Sequence, residues 1–496
     1  AIAQDKQVLY LLPEISLTPQ MVQRLQARFG SEVTVYHSKF SVHERTEVWN
    51  NILDKNPNAK IIVGTRSAIF LPFNQLGLVI VDEEHELSYK QFDPSPRYHA
   101  RDSAVVLAGM YQAKVVLGSA TPALESSFNR LSGKYGWVQL RERYGKVAMP
   151  EILTIDLRSA YKKKKMKGGF SHTLIHEMEQ TLSMGKQIIL FQNQRGYAPV
   201  MECLDCGHMP QCHQCDVTLT YHQYSDQLKC HYCGYQIAVP EKCHACGLHN
   251  LSTKGMGTQQ IQEQVSTLFP EVSVARMDWD TTRGKWAFDK LIHSFAAQEV
   301  KILVGTQMII KGLDFQNVHL VGVLNADHLM NFPDFRAHER TYQMLSQVAG
   351  RAGRKALRGK VLIQTYQPQH PIIQKVIEGN YEQMLHQQLK DRKEYHYPPY
   401  NRLIRMVVNH SDMETVKKAS QWIVNVLLQS DYGQILGPVF PPIARVRNRY
   451  RMQILIKIEG SQSRDRVKQI IRKTLDRFES IAIFRSCKVN LDVDPY

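Results

Sequence analysis

Three consecutive acids and a histidine, Asp82-Glu83-Glu84-His85, directly follow four apolar residues, Leu78-Val79-Ile80-Val81. A short run apolar at every position predicts a parallel-sheet strand buried on both faces. Ligands of such sheets gather at the carboxyl ends of the strands, where these acids stand. An aspartate there can hold Mg²⁺, directly or through water. A neighbouring glutamate can orient or deprotonate the water that attacks a nucleotide phosphate. Asp82 and Glu83 are therefore candidate catalytic and nucleotide-binding residues. The plain alternative is a solvated acidic loop after a core strand. Arg351 and Arg354 are a second set, three residues apart and so on one face if helical. Guanidinium groups there could stabilise charge on a transferring γ-phosphoryl group.

Cysteine supplies the third set. Nine occur, and eight lie between positions 203 and 246 as four CxxC pairs: Cys203/Cys206, Cys212/Cys215, Cys230/Cys233 and Cys243/Cys246. Without a secretory signal, that pattern points to metal rather than disulfides. Four pairs of thiolates make two tetrahedral Cys₄ zinc sites, closed and hence structural. Between Cys215 and Cys230 an alternating strand, a polar turn and a second strand read as a zinc ribbon. The second and third pairs would share one Zn²⁺ and, by elimination, the first and fourth pairs the other. A cross-braced pairing is the open alternative.

Strands alternating with helices must position these groups. Val8–Leu12, Val33–Tyr36, Ile61–Val63, Leu78–Val81 and Val115–Leu117 read as strands. Between the first two, Thr18, Pro19 and Gly30 mark the N-cap, first position and C-cap of a helix. Ser41 and Glu44 form a capping box opening the next. This is a doubly wound α/β lobe. The segment 302–328 then echoes 61–85: Gly64-Thr65 matches Gly305-Thr306, and Leu78-Val79 matches Leu320-Val321. Two lobes of similar fold follow, with hydrolytic acids in the first only. The lysine run 162–165 reads as an exposed inter-lobe segment. The expected organisation is a first lobe over 1–150, a second over 151–384 with the cysteine insertion near 200–250, and a small α+β domain over 385–496. In that last domain a strand at 403–408 and helices at 413–428 and 463–479 are expected.

The chain has 496 residues, 62 Lys plus Arg against 46 Asp plus Glu, and a net charge of +16. That excess favours a polyanion as partner. No apolar run approaches the ~20 residues of a membrane span, and no signal peptide opens the chain. A cytoplasmic protein without membrane contact is expected. After the acids, Tyr89, Phe92 and Tyr98 interleave with Lys90, Arg97 and Arg101 in a proline-containing stretch, a chemistry for stacking bases and holding phosphates. Arg445, Arg447, Arg449 and Arg451 alternate, so an extended chain turns all four one way, a second candidate DNA surface. If a hairpin turns at Asn448, they cluster nearby.

The order PEISLTPQ, VGTRSAIF, VDEEH, GSATP resembles motifs Ia, Ib, II and III of superfamily 2 helicases. VGTQMIIKGLDF and QVAGRAGR resemble motifs V and VI. The resemblance implies two RecA-like lobes, ATP with Mg²⁺, a hydrolytic pair at Asp82 and Glu83, and arginine fingers at Arg351 and Arg354. It also implies nucleotide contacts from Gly312, Asp314 and Gln347. With the two-zinc cysteine insertion, the whole chain resembles the PriA family of primosomal replication-restart helicases. That resemblance implies 3′→5′ unwinding at stalled forks. It also implies the partners PriB, DnaT, single-strand-binding protein and the machinery that loads the replicative helicase. One departure stands out. The Gly-Lys pairs present, such as those at 133, 185 and 359, are never followed by Ser or Thr, so no P-loop is present to cradle phosphates. The P-loop and the family's N-terminal DNA-binding domain are expected upstream of Ala1. As it stands, the alternative reading is a non-enzymatic, zinc-stabilised DNA-binding and assembly scaffold.

Overall fold

The computed structural model describes residues 1–13, 19–38, 40–140, 142, 148–192, 200–203, 210, 219–222, 226–229, 235–249, 251–254, 257–278, 280–282, 284, 287–310, 315–330, 334–353, 358–430, 433–441, 443–460 and 462–495. Two units emerge, Ala1–Asn193 with Val265–Leu385, and Gln194–Gln264 with His386–Pro495. Both predicted lobes belong to the first unit.

The first lobe runs β1 (Gln7–Leu11), α1 (Pro19–Phe29), β2 (Val33–Tyr36), α2 (Val42–Leu53), β3 (Ile61–Gly64), β4 (Leu76–Val81), α3 (Ala100–Met110), β5 (Lys114–Leu117) and α4 (Leu124–Leu131). Its sheet has the order β2-β3-β1-β4-β5, every pairing parallel. Pro19 does open α1, and the Ser41–Glu44 capping box closes in both directions at 2.7 and 3.3 Å. Thr18 lies outside the described residues. One expectation for the acid-bearing strand needs correcting. Val79 and Val81 are fully buried against α3, but Leu78 and Ile80 are only partly buried. Their face is roofed by α1, whose Met21, Leu25 and Phe29 are themselves half-exposed.

The second lobe begins with β6 (Glu151–Asp156), α5 (Leu157–Lys162), the β7 (Met166–Lys167) and β8 (Phe170–Ser171) hairpin, α6 (His172–Ser183) and β9 (Gln187–Phe191). Lys162–Lys165 are exposed as expected, yet they follow β6, so they lie within this lobe rather than between lobes. The chain next forms the cysteine-rich insertion: β10 (Val200–Cys203), β11 (Thr220–His222), β12 (Gln227–Lys229), β13 (Gln236–Ala238) and β14 (Leu251–Lys254). It returns through α7 (Thr258–Leu268), β15 (Val274–Met277), α8 (Ala287–Ala296), β16 (Ile302–Gly305), β17 (Val318–Val323), α9 (Asp327–Met330), α10 (Ala337–Ala349), β18 (Lys360–Thr365), α11 (Pro371–Glu378) and α12 (Tyr381–Glu394). The sheet order is β15-β16-β9-β17-β18-β6, again wholly parallel.

The internal echo is a structural repeat. β3 and β16 hold the same place beside β1 and β9, and β4 and β17 flank the other side. Both second pairings carry one register shift, after Gln7 in the first lobe and at Val318/Leu320 in the second. Gly64 and Gly305 serve alike: a Cβ on Gly64 would lie 2.5 Å from Ala68 Cβ, and one on Gly305 2.5 Å from the Met277 carbonyl.

The C-terminal region is the expected α+β domain: β19 (Asn401–His410), α13 (Met413–Leu428), β20 (Gln434–Val439), β21 (Arg445–Val446), β22 (Arg449–Glu459), α14 (Arg464–Ser480) and β23 (Lys488–Val493). Its antiparallel sheet, β20-β22-β19-β23, packs Ile404, Met406, Ile454 and Ile456 against Ile423 and Leu427 of α13. The cysteine-rich insertion groups with this domain rather than with the second lobe. Its small core of Met201, Leu219 and Leu228 packs on Val446 of β21.

Candidate active site

The backbone after β4 turns at once, with Glu83 at φ +45°, so successive acids point to different surroundings. Asp82 Oδ2 accepts the Tyr10 hydroxyl at 3.0 Å and Oδ1 accepts the Glu83 amide at 2.9 Å. Burial raises the pKa of Tyr10, keeping it a donor at neutral pH. Glu83 stands over the strand ends. Burial raises the pKa of its carboxyl, the charges of Asp82 and Glu86 add to this, and His85 and Arg351 oppose it. A carboxyl tuned upward is the kind that can take a proton from water.

Glu84 has a structural task. It is 1% exposed; Oε1 accepts the Ala123 amide at 2.6 Å, and Oε2 accepts Arg101 Nη1 at 2.9 Å and Ser126 Oγ at 2.8 Å. His85 is buried as well, with Nδ1 2.7 Å from Ser119 Oγ of GSATP and Nε2 2.8 Å from Gln347 Nε2. Gln347 also donates to Glu83 Oε2 at 3.3 Å. The motif II acids, the motif III serine and the motif VI glutamine therefore form one network spanning both lobes.

Helix α10 makes that network possible, and sequence reasoning passed over most of it. Glu339, Gln343 and Gln347 recur every four residues and so form one stripe. Glu339 Oε1 accepts the Leu124 amide at 2.9 Å and Gln343 Nε2 at 3.3 Å, and Gln343 Nε2 is 3.4 Å from the Thr121 carbonyl. Arg336 approaches Glu125 at 3.6 Å. The first turn of α12 adds Tyr381, whose hydroxyl donates to the Pro122 carbonyl at 2.9 Å, and Glu382, which accepts Arg130 at 2.8 Å. Polar residues at every fourth position, Glu339, Gln343 and Gln347, were the signal available in the sequence.

The expectation that Arg351 and Arg354 share a helix face needs correction. Helix α10 ends at Ala349, Gly350 closes it, and Arg351 lies in the following turn. Gly353 at φ +64° then donates to the Val318 carbonyl, steering the chain off the helical path. Arg351 remains near enough to Glu83 to act on its ionisation. Arg354, Gly312 and Asp314 lie outside the described residues.

The aromatic stretch divides. Tyr89 and Lys90 are 1% and 2% exposed, which corrects their reading as solvent-facing DNA contacts. The Tyr89 hydroxyl donates to the Leu11 and Asp82 carbonyls at 3.0 and 2.6 Å, and Lys90 Nζ to the Arg97 carbonyl at 3.0 Å. Arg101 is likewise internal, paired with Glu84. These groups fold the loop instead of facing a ligand, because its two ends pair with each other between Lys90 and His99. Phe92 is 47% exposed, and Arg97 and Tyr98 are half-buried, Tyr98 packing edge-on to Phe70 at 4.9 Å. Tyr98 also lines a small open cleft with Pro13, Thr65, Arg66 and Gln91, at the carboxyl ends of β1 and β3.

The arginine series takes the hairpin alternative. Arg447 and Asn448 have φ +48° and +62°, and Arg445 pairs with Tyr450 and Val446 with Arg449. The four guanidinium groups therefore do not all face one way. Arg445 lies over the Tyr450 ring at 4.9 Å, while Arg449 and Arg451 share the opposite face.

Of the cysteines, the described residues settle part of the geometry. Cys203 is in β10, opposite Leu251 of β14. Cys243 is buried and its Sγ accepts the Ala245 amide at 3.4 Å; Gly247 at φ +77° donates to the Cys243 carbonyl. An amide aimed at sulfur and a glycine just past the pair make a turn that suits a thiolate ligand. β11 and β12 form the predicted hairpin between Cys215 and Cys230. Cys206, Cys212, Cys215, Cys230 and Cys233 lie outside the described residues.

Four family profiles match in chain order: DEAD/DEAH box helicase over 1–128, the PriA DNA helicase Cys-rich region domain over 212–237, the helicase conserved C-terminal domain over 253–356, and the primosomal protein N C-terminal domain over 393–496. The replication restart protein PriA of Bacillus subtilis is 42% identical over 100% of this chain and 61% of its own length. That of Haemophilus influenzae is 39% identical over 99% of this chain and 66% of its own. That of Treponema pallidum is 38% identical over 100% and 73%. The chain thus spans about three fifths of the first of these relatives. Matched along its whole length, and carrying the two lobes, the cysteine-rich insertion and the C-terminal domain in order, the chain belongs to the replication restart protein PriA family.

Proposed function

We propose that this chain is the motor, zinc and C-terminal part of an ATP-dependent 3′→5′ DNA helicase that reopens stalled replication forks. The observation that carries this is Gln347 of the second lobe hydrogen-bonded to both Glu83 and His85 of the first. A scaffold has no use for a base wired to the opposite lobe.

In this reading Asp82, its carboxylate already oriented by Tyr10 and the Glu83 amide, would hold the Mg²⁺ that accompanies the nucleotide. Glu83 takes a proton from the attacking water, and Gln347 fixes the position of Glu83. Arg351 would offset charge at the phosphate, and Arg354, Gly312 and Asp314, which lie outside the described residues, are proposed to serve the same nucleotide. Mg²⁺ supplies charge neutralisation at the phosphate oxygens when bound. The phosphate cradle itself needs a glycine-rich loop ending in Lys-Ser or Lys-Thr, which these 496 residues do not contain. Among the described residues β5 is paired on one side only and Val116 is exposed, so a further parallel strand there would bring such a loop near Asp82.

Phe92, Arg97 and Tyr98 are proposed DNA contacts in the first lobe, and Arg445, Arg447, Arg449 and Arg451 are proposed phosphate contacts around the C-terminal hairpin, on both of its faces. Two Zn²⁺ hold the insertion, one on Cys212, Cys215, Cys230 and Cys233, the other on Cys203, Cys206, Cys243 and Cys246. PriB, DnaT, single-strand-binding protein and the helicase-loading machinery are the proposed partners, in the cytoplasm. Among the described residues no helix is long and apolar enough to cross a membrane.

The test is DNA-stimulated ATP hydrolysis by this chain and by one extended upstream to include a P-loop. Activity in the longer chain, lost in Asp82→Asn, supports the reading; inactivity in both refutes it. Zinc well below two per chain would overturn the two-site assignment.

A further inference from the structure

Helix α4 has no capping side chain of its own. Its N-cap residue is Ala123, which offers nothing to the amides of the first turn. Two carboxylates from elsewhere fill the role. Glu84, next to the hydrolytic pair, accepts the Ala123 amide, and Glu339 of the second lobe accepts the Leu124 amide at 2.9 Å. Glu339 is 4% exposed and also holds Gln343, whose amide nitrogen reaches the Thr121 carbonyl in the same segment.

We propose that Glu339 is a positioning residue. It caps α4 across the lobe boundary, so the first turn of α4 is complete only when α10 is seated against the segment after GSATP. The cap has a physical consequence. If the lobes part, the Leu124 amide loses its acceptor and Glu339 loses a donor. The partner acceptor on the same turn, Glu84, adjoins Glu83. Lobe seating is thereby reported, through α4 and Glu84, to the acid that activates water. This last link rests on the helicase reading above; the cap itself does not.

Amide hydrogen exchange over Leu124–Leu131, measured on this chain without nucleotide, tests it. Glu339→Ala should speed exchange in the first turn of α4 by about tenfold, the effect of losing one charge-assisted hydrogen bond of ~1.4 kcal/mol. Glu339→Gln retains an acceptor oxygen and should restore most of the protection. Unchanged exchange in Glu339→Ala, or equal loss in both variants, overturns the proposal. Should Glu339→Ala fail to fold, Leu124→Pro gives a second route. It deletes the amide at the first helical position, where proline is tolerated, and the extended Ala123 backbone at ψ 146° suits a residue before proline. Glu339→Asp, whose shorter side chain withdraws the oxygen from the Leu124 amide, should speed first-turn exchange in the parent and have no further effect with Leu124→Pro in place; an additive effect refutes the cap. In a nucleotide-hydrolysing extended chain, Glu339→Ala should lower kcat and leave KM unchanged. A chain that never hydrolyses ATP would sink the helicase reading while the exchange result stood.

Discussion

Three adjacent acids with three different partners make Glu84→Ala the most informative substitution. The change strips a buried guanidinium, that of Arg101 at 4% exposure, of its main partner. Asp102 also pairs with Arg101 but is itself 57% exposed, so it compensates little. Breaking a buried ion pair from one side costs about 3–5 kcal/mol. The Ala123 amide and the Ser126 hydroxyl lose acceptors too, at roughly 1 kcal/mol each if water cannot reach them. A total near 5 kcal/mol rivals the whole stability of an ordinary domain, about 5–15 kcal/mol. With a urea slope of about 1–3 kcal/mol per molar, the first lobe should unfold roughly 2 M or more earlier. Exchange of the β1 and β4 amides against urea reads that lobe separately from the zinc-bearing unit. Asp82→Asn should leave the same transition within about 1 kcal/mol of the parent, because its oxygen can still accept the Glu83 amide and its amide nitrogen can donate to the Tyr10 hydroxyl oxygen. A Glu84→Ala chain as stable as the parent would refute the assignment of Glu84 to structure and reopen it as a catalytic acid.

Other expectations follow from the same contacts. Glu83 has a raised pKa in the fold, so the native state binds its proton more tightly; stability should fall as pH rises from about 4.5 through the raised value. Glu83→Gln should abolish that fall, checked by urea midpoints across pH, while ending ATP hydrolysis in an extended chain. His99 behaves oppositely: burial and the Arg101 charge lower it from 6.5 to about 3. The unfolded chain then takes the proton first, and stability should drop as pH falls below 6.5, by up to ~1.4 kcal/mol per pH unit. His99→Asn should flatten that limb; an unchanged slope would assign it elsewhere. For DNA, Phe92→Ala should weaken single-strand binding by about 1–3 kcal/mol with little change in salt dependence. Arg449→Ala should reduce the salt slope by about one, and fluorescence titrations at several ionic strengths separate the two.

What the sequence made legible was whatever local chemistry dictates. The capping box at Ser41, the proline at the head of α1 and the strand periods of both lobes are decided within a few residues, and the fold follows them. Motif order pointed to Asp82, Glu83 and Gln347, which the fold joins in one hydrogen-bonded network. The misreadings share one cause. Tyr89 and Lys90 are polar-tipped side chains in a polar loop, and only the pairing of Lys90 with His99 turns them inward to carbonyl acceptors. Arg351 lay beyond a helix end set by Gly350 and Gly353. The arginine row changed faces because two positive-φ residues make a tight hairpin. Each is a tertiary or turn-level decision that alternation and spacing leave open.

The repeat sharpens what the acids mean. β4 and β17 share a position in their sheets and a register shift, so the two lobes offer the same rack of strand ends. The first lobe places Asp82 and Glu83 there. The second places Asn325 and Asp327 after its strand, with Asp327 Oδ2 held by the Tyr366 amide at 2.9 Å inside its own lobe. The lobes therefore differ in what they present rather than in how they are built. The second contributes through α10, whose polar stripe reaches across to Leu124, Thr121, His85 and Glu83. A duplicated fold that kept the acids in one copy and set the other copy's helix against them ties the placement of Glu83 and His85 to how the two lobes are seated.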